Sequence, residues 1–267
     1  MPYLKWFSLN CSINSVKYDG SNSNDNEKEA FISFDFNKDR DIVNDFLKGD
    51  ITSYVQRFTT TDAFNQLPSD IVLFRQETRC VTALYEAFFN KLKTDRCSEI
   101  IVRCVEKITN NHIPIFGGSA EVQVLFDFNQ YFRSTDEEKK RLALEALHTG
   151  VERAAKEFGW DLKPFFVAYE GVKSRNYRFA YVHHKPKYNP NRKHVAEVVC
   201  THDVSSFRID IVIKDKSGNQ INKKHIITED PIEFLYERHL GNLRWISNDE
   251  VEFTNQLGTE KWNVKLS

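Results

Sequence analysis

The sequence predicts an α+β protein in which a long helix packs on a largely antiparallel sheet. Two observations indicate this class. Apolar residues recur at helical spacing from Ala143 to Phe158, and charged residues occupy the opposite face. Short apolar segments separated by turn residues follow the helix, as expected for strands joined by hairpins. Because a helix with one apolar face must bury it against another element, we expect this helix to lie on a sheet.

The chain is long enough to form a sizeable core without covalent cross-links. Its 267 residues suit one large domain or two small ones. A turn-rich stretch at residues 110–118 predicts a division into α+β halves of residues 1–109 and 119–267, with one continuous domain as the alternative. The tetrapeptide Phe-Asp-Phe-Asn occurs at residues 34–37 and 126–129. It suggests two similar α/β halves, although a chance match of four residues is the competing explanation.

The first half is predicted to alternate strands with helices. Segment Asp19–Glu29 is rich in Ser, Asn and acidic residues, which is typical of a loop. Apolar segments predict four strands, at Tyr3–Ile13, Phe31–Phe36, Ile71–Phe74 and Glu99–Ile108. Helical spacing predicts two helices, at Asp39–Phe58 and Thr78–Lys93.

The long helix has specific signals at both ends. Ser134 or Thr135 is followed three residues later by Glu137 or Glu138, which is the spacing of a capping box. Gly159 can adopt the left-handed conformation that often ends a helix. The sequence therefore predicts a helix over Ser134–Phe158.

The remainder of the chain is predicted to be rich in strands. Pro231–Leu240 predicts a short helix, because Pro stands at its start and Gly241 follows it. Residues 216–219 form the expected turn of a hairpin. The predicted strands are Val122–Phe128, Phe165–Tyr169, Arg178–Val182, Val195–Thr201, Phe207–Lys214, Ile221–Thr228, Asn242–Ile246, Val251–Thr254 and Lys261–Leu266.

The cysteines predict a cytoplasmic protein with reduced thiols. There are five of them, an odd number, widely scattered and without a CxxC pair. The first residues lack the apolar run of a signal peptide, and no segment approaches the roughly 18 apolar residues that a membrane span requires. We therefore expect buried, reduced cysteines and no contact with a membrane.

No catalytic motif is visible in the sequence, and we expect no cofactor. It lacks a P-loop, GxGxxG, HExxH and GxSxG. Cys200 and His202 share one face of a predicted strand and form a weak candidate metal site, with three further histidines nearby. Asp210, Lys214 and Asp215 supply the residue types of a carboxylate–lysine nuclease. Neither set has the spacing of a known site.

Residues 171–196 form the most unusual segment of the chain. They contain seven Lys or Arg and no acidic residue, a net charge of +7. The net charge of the whole chain is −1, so the other residues together carry −8. Aromatic residues alternate with these charges. The segment predicts a surface for an acidic protein, or for nucleic acid by phosphate neutralisation and base stacking; a solvated loop is the alternative. The residues expected to bind a partner are Lys185, Lys187, Tyr188, Arg192 and Lys193.

An acidic region offers a competing surface. Segment Glu229–Glu260 carries eight acidic and two basic residues. Asp249, Glu250 and Glu252 are its candidate residues for a basic partner, and the region could also neutralise the basic segment within the fold. Taken together, the sequence favours a non-enzymatic protein-interaction module, such as a bacterial immunity or inhibitor protein that masks a toxin. A nucleic-acid-binding protein or nuclease using residues 171–196 is the alternative function.

Overall fold

A computed structural model describes residues 3–12 and 69–266 and shows the predicted α+β class. The structure contains helices as well as antiparallel sheets, as expected. Several predictions lie outside the described residues: the loop Asp19–Glu29, the strand Phe31–Phe36, the helix Asp39–Phe58 and the first Phe-Asp-Phe-Asn copy.

The first sheet is mixed rather than antiparallel. The three long strands of this mixed sheet are parallel to one another, and a short antiparallel strand lies at one edge. A separate antiparallel pair consists of β1 (Tyr3–Leu4) and β3 (Leu92–Lys93). In spatial order, the four strands of the mixed sheet are β2 (Trp6–Ser12), β4 (Glu99–Val105), β6 (Ser119–Leu125) and β5 (Ile115–Phe116).

Helices cover one face of this sheet. The alternate residues that point toward the helices are buried, whereas Arg103 and Glu121 form an ion pair of 2.7 Å on the other face. Within residues 69–266, the helices on this side are α1 (Ser69–Phe88), α2 (Phe128–Arg133), α3 (Asp136–Phe158) and α4 (Lys163–Ser174). Helix α1 contacts β2, and helix α3 contacts β4 and β6.

Helix α3 confirms the capping signals read from the sequence. Thr135 is the N-cap, and its hydroxyl accepts from the backbone N–H of Glu138, whose carboxylate accepts from the N–H of Thr135 at 3.0 Å. Gly159 ends the helix in the left-handed region at φ +66°. The helix does not lie on the antiparallel sheet as expected: its apolar face packs on the parallel strands β4 and β6.

Two segments predicted as strands are helical. Ile71–Phe74 belongs to α1, and Phe165–Tyr169 belongs to α4. A short apolar run fits either a strand or a buried helix. In α4, burial of Phe165, Ala168 and Val172 shows the helical period, and Pro164 occupies the first turn, where its missing N–H costs no hydrogen bond.

The C-terminal region contains the predicted antiparallel sheet. Its spatial order is β10–β9–β8–β7, and these strands confirm the predicted hairpins. Gly218, at φ +85°, lies in the predicted turn between β9 and β10. The four strands are β7 (Phe179–Tyr188), β8 (His194–His202), β9 (Phe207–Asp215) and β10 (Gln220–Glu229).

A smaller three-stranded sheet completes the C-terminal region. The short helix α5 (Glu233–Tyr236) and a 3₁₀ turn (Glu237–His239) precede it, within the predicted helix Pro231–Leu240. The strands are β11 (Leu243–Trp245), β12 (Glu250–Thr254) and β13 (Lys261–Lys265), again close to the predicted positions.

The described residues form two hydrophobic clusters that do not coincide with the predicted halves. The first cluster extends from Leu4 to Val172 and includes Val204, whereas the second lies between Ala196 and Val264. Residues 110–118, the predicted boundary, connect β4 and β6, which are neighbours in one sheet. Among the described helices, none has the length and apolar character needed to cross a membrane.

Charged side chains join the two clusters, and we call this group the polar seam. It consists of Arg79 and Glu86 from α1, Lys140 from α3, Asp203 after β8 and Glu233 in α5. Arg79 pairs with Glu86 at 3.3 Å and also with Glu233, while Lys140 Nζ lies 2.5 Å from the Asp203 carboxylate. The seam therefore contributes direct ion pairs between the first cluster and the antiparallel sheet with its following helix.

The four cysteines whose side chains are described are buried and form no disulfide, as predicted. We expect alanine at Cys97, Cys104 or Cys200 to lower the free energy of unfolding by about 1–3 kcal/mol through lost packing. Urea denaturation of each variant measures this change. A variant as stable as the parent protein would contradict the packing role.

Candidate functional site

The five basic-segment residues lie together on one exposed hairpin. Strands β7 and β8 are joined by a turn at residues 189–193, and we call residues 185–193 the basic hairpin. Lys185, Lys187 and Tyr188 occupy the end of β7, and Arg192 and Lys193 lie in the turn. All five side chains are exposed. The fold therefore exposes the residues that the sequence singled out, with Lys187 and Tyr188 on alternate faces of β7.

A buried asparagine fixes the conformation of the turn. Asn189 is only 1% exposed. Its Nδ2 donates to the carbonyl of Asn248 at 2.8 Å, and its Oδ1 accepts from the backbone N–H of His194 at 3.0 Å. The N–H of Arg192, at φ +56°, donates to the Asn189 carbonyl at 2.8 Å. Because both side-chain groups of Asn189 are satisfied away from water, the turn is held in one shape.

An arginine and a tyrosine form a contact on the exposed side of this turn. The guanidinium of Arg192 lies 5.3 Å from the centre of the Tyr188 ring, within the range of a cation–π interaction. Tyr188 nevertheless remains 58% exposed. The pair thus offers a positioned cation beside a large aromatic surface.

A β-bulge shapes the strand that leads into the hairpin. The β7–β8 register shifts between His183 and Lys187, and His184 within this stretch has φ +61°. The indole N–H of Trp245 donates to the Lys187 carbonyl at 2.8 Å. Burial, with a smaller contribution from the His184 charge, lowers the pKa of His183. The bulge and Pro186 interrupt the sheet edge, which disfavours pairing with another strand and leaves side chains as the binding groups.

The three acidic candidates differ in their exposure to solvent. Asp249 is exposed and follows Asn248, the partner of the buried asparagine. Glu250 is partly exposed, and its Oε1 accepts from the side chain of Asn263 at 2.9 Å. Glu252 is only 8% exposed and pairs with Arg244 at 2.7 Å, so it offers little surface to a partner. The acidic alternative reduces to Asp249 and Glu250.

Within the described part of the chain, no ion pair joins the cationic side chains of the basic hairpin to an acidic residue. The contacts between the hairpin and residues 245–248 involve amide, carbonyl and indole groups instead. Neutralisation of the basic hairpin by the acidic region is therefore not seen in these contacts.

The candidate metal pair is buried in the second cluster. Cys200 and His202 share one face of β8, as predicted, and both are almost fully buried. Burial raises the pKa of the Cys200 thiol to about 12 and lowers that of His202 to about 4, so both groups are neutral at pH 7. The described residues contain no group of three or more His, Cys, Asp or Glu side chains suited to a metal ion.

The three candidate nuclease residues have separate partners. Lys214 pairs with Glu197 on the neighbouring strand at 2.6 Å. Asp215 accepts from the side chain and backbone of Asn219 at 2.9 Å in the β9–β10 turn. Asp210 instead contacts Lys223 and His225 of β10, neither of which was a predicted site residue. Only the register between β9 and β10 brings those residues together.

Comparison of the chain with protein-family models, with curated proteins and with solved structures finds no match. The function of this chain is therefore inferred from its own residues.

Proposed function

We propose that this protein is an interaction module that binds an acidic protein surface through the basic hairpin, without catalysis at that site. The observation that carries the proposal is the exposed Tyr188–Arg192 pair on a turn fixed by the buried side chain of Asn189. Tyrosine and arginine are enriched among the residues that dominate binding energy. A site that combines both in one fixed geometry suits protein recognition.

The rigidity of the turn favours binding. Each rotamer-rich side chain that must be ordered on association costs about 0.5–1.5 kcal/mol, and ordering a loop adds a further cost. Asn189 orders the turn before a partner arrives, so less of this cost remains. The exposed cations add long-range attraction, which mainly raises the association rate for an acidic partner.

The class of partner follows from charge and compartment. Buried cysteines without disulfides are typical of a reducing compartment, which supports a cytoplasmic location. A bacterial immunity or inhibitor protein needs only a complementary surface to mask its target, and the basic hairpin would suit a target with an acidic active-site rim. A single-stranded nucleic acid is the second candidate, because Tyr188 is exposed beside cations.

The test compares charge reversal on the hairpin with reversal elsewhere. We expect Arg192→Glu with Lys193→Glu to slow association with the partner by about tenfold or more at low salt and to flatten its salt dependence. The matched control is Lys91→Glu with Lys107→Glu, which changes the net charge equally at two exposed sites, one just before β3 and one just after β4. Binding of partner captured from the source cell, before and after nuclease treatment, is followed by surface plasmon resonance.

Three results would count against this proposal. If Asp249→Lys with Glu250→Lys abolishes binding while the hairpin variant retains it, the acidic residues are the binding site. If capture requires intact nucleic acid, the second candidate is correct. If the hairpin and control variants bind equally well, the hairpin does not form the interface.

A further inference from the structure

Three polar side chains form a hydrogen-bonded chain on the outward face of the antiparallel sheet. The carboxylate of Asp210 on β9 contacts His225 Nδ1 on β10 at 3.0 Å, and His225 Nε2 contacts the hydroxyl of Thr228 at 3.1 Å. Asp210 is 2% exposed, whereas His225 and Thr228 are exposed. The chain thus extends from a buried carboxylate to a hydroxyl at the surface.

The direction of the hydrogen bonds follows from the carboxylate. Burial acts to raise the pKa of Asp210, but hydrogen bonds from Lys223 and His225 outweigh it, so the pKa is lower than usual and the group is ionised. An ionised carboxylate only accepts, so in the neutral form of the imidazole the proton is on Nδ1. His225 Nε2 is then an acceptor, and the Thr228 hydroxyl donates to it. This is the arrangement in which a base, oriented by a third group, faces a hydroxyl.

A β-bulge brings Thr228 to the same face as His225. In a regular strand, residues three apart point to opposite faces. The β9–β10 register shifts between His225 and Ile227, so that His225 pairs with Asp210 and Thr228 pairs with Arg208, two residues before Asp210. The bulge is not needed to compensate the negative charge of Asp210, because Lys223 and His225 already contact its carboxylate. Bulges frequently re-aim side chains beside active sites.

Two cationic side chains lie beside the Asp210 carboxylate. Lys223 Nζ lies 3.0 Å from Asp210 Oδ2, and a guanidinium nitrogen of Arg208 lies 3.8 Å from Asp210 Oδ1. Both side chains are partly exposed. Arg208 also pairs directly across the strands with Thr228, which places both side chains on the same face of the sheet.

We propose that Thr228 is a nucleophilic hydroxyl that accepts an acyl group from an activated ester, with His225 as its general base and Asp210 as a positioning residue. Thr228 Oγ1 attacks the ester carbonyl as its proton passes to His225 Nε2. The tetrahedral oxyanion collapses, the C–O bond to the leaving group breaks, and the protonated His225 gives its proton to the departing oxygen, which leaves as the alcohol. The product is Thr228 O-acyl ester, with no oxidation or reduction. This activity is independent of partner binding by the basic hairpin.

The test uses p-nitrophenyl acetate as the acyl donor and the full chain. We expect release of p-nitrophenolate, with an acetyl group located on the peptide that contains Thr228 by mass spectrometry. Thr228→Val keeps the shape of the side chain but removes the hydroxyl, so it should abolish acetylation of this peptide. His225→Gln should lower the rate of acetylation of Thr228 by about 100-fold or more. Peptide mapping separates this reaction from acetylation of lysines.

Asp210→Asn separates orientation from a purely structural role. We expect it to lower the maximal rate constant of acetylation with little change in the ester concentration that gives half of that rate, and to alter the pH profile of acetylation, because an asparagine can hold the wrong imidazole tautomer. Circular dichroism checks that each variant is folded. Absence of an acetyl group on Thr228, or equal acetylation in the parent protein and in His225→Gln, would overturn the proposal.

Discussion

Replacing Arg79 by alanine is expected to lower the free energy of unfolding by about 2–4 kcal/mol at pH 7. Arg79 is the cation of the polar seam that faces two carboxylates, Glu86 and Glu233. Its removal leaves both without that partner at the junction between the two hydrophobic clusters. The effect falls somewhat below that of a fully buried pair, because the Glu233 side chain is 37% exposed and water partly replaces the lost charge.

The effect of this substitution is expected to depend on pH. Burial raises the pKa of Glu86 above its ordinary value, and the Arg79 charge acts against this rise. Without Arg79, the pKa of Glu86 rises further. A raised carboxyl pKa means that the folded state binds its proton more tightly than the unfolded state, so stability is lost as pH rises through the folded pKa. The alanine variant should therefore be destabilised less at acidic pH, where Glu86 is protonated, than at pH 7.

Urea denaturation of the parent protein and the Arg79 variant at acidic and neutral pH tests this expectation. Lys156→Ala provides the control, because Lys156 pairs with Glu152 on an exposed part of α3. Its effect should stay within about 0.5 kcal/mol at both pH values. An Arg79 variant whose destabilisation is the same at both pH values would show that Glu86 does not titrate as described.

The elements with local signals were predicted well from the sequence. The α3 helix was predicted because Thr135, Glu138 and Gly159 are capping residues whose effect depends only on neighbours in the chain. The hairpins of the C-terminal sheet were predicted for the same reason, since turns such as that at Gly218 join neighbouring strands. Helix ends and hairpin turns could therefore be predicted, because the residues that form their hydrogen bonds are close together in the sequence.

The errors arose where long-range packing decides the structure. Phe165–Tyr169 is a short apolar run without a local signal that separates strand from helix, and packing against α1 decides for the helix. The parallel pairing of β2, β4 and β6 joins segments far apart in the sequence. Their alternating burial resembles that of antiparallel strands because only one face is covered by the described helices.

The candidate sites show the same contrast. The basic hairpin could be located from composition alone, because its four cations lie within nine residues of the sequence. The role of Asn189 could not, because its partner Asn248 is 59 residues away. The chain from Asp210 through His225 to Thr228 depends on the register of two strands and on a bulge that no short motif encodes. Sites built across strands become visible only when the strand pairing is known.

Replacing Gly150 by alanine is expected to lower the free energy of unfolding by about 1–3 kcal/mol, although alanine favours a helix. Gly150 lies in the middle of α3, on the face that packs against β4. A Cβ atom there would lie 2.4 Å and 2.6 Å from the two methyl carbons of Val102. The gain in helix propensity is about 1 kcal/mol, which is smaller than the cost of forcing the helix away from the sheet.

A double-mutant cycle with Val102→Ala tests this contact. Alone, Val102→Ala should cost roughly 1–3 kcal/mol, because it removes two buried methyl groups. It also removes the two nearest atoms, leaving the Val102 Cβ at 3.0 Å from the added Cβ. In that background, Gly150→Ala should be close to neutral, so the double variant should be more stable than the sum of the single effects predicts. Strictly additive effects in urea denaturation would show that α3 does not approach β4 this closely at Gly150.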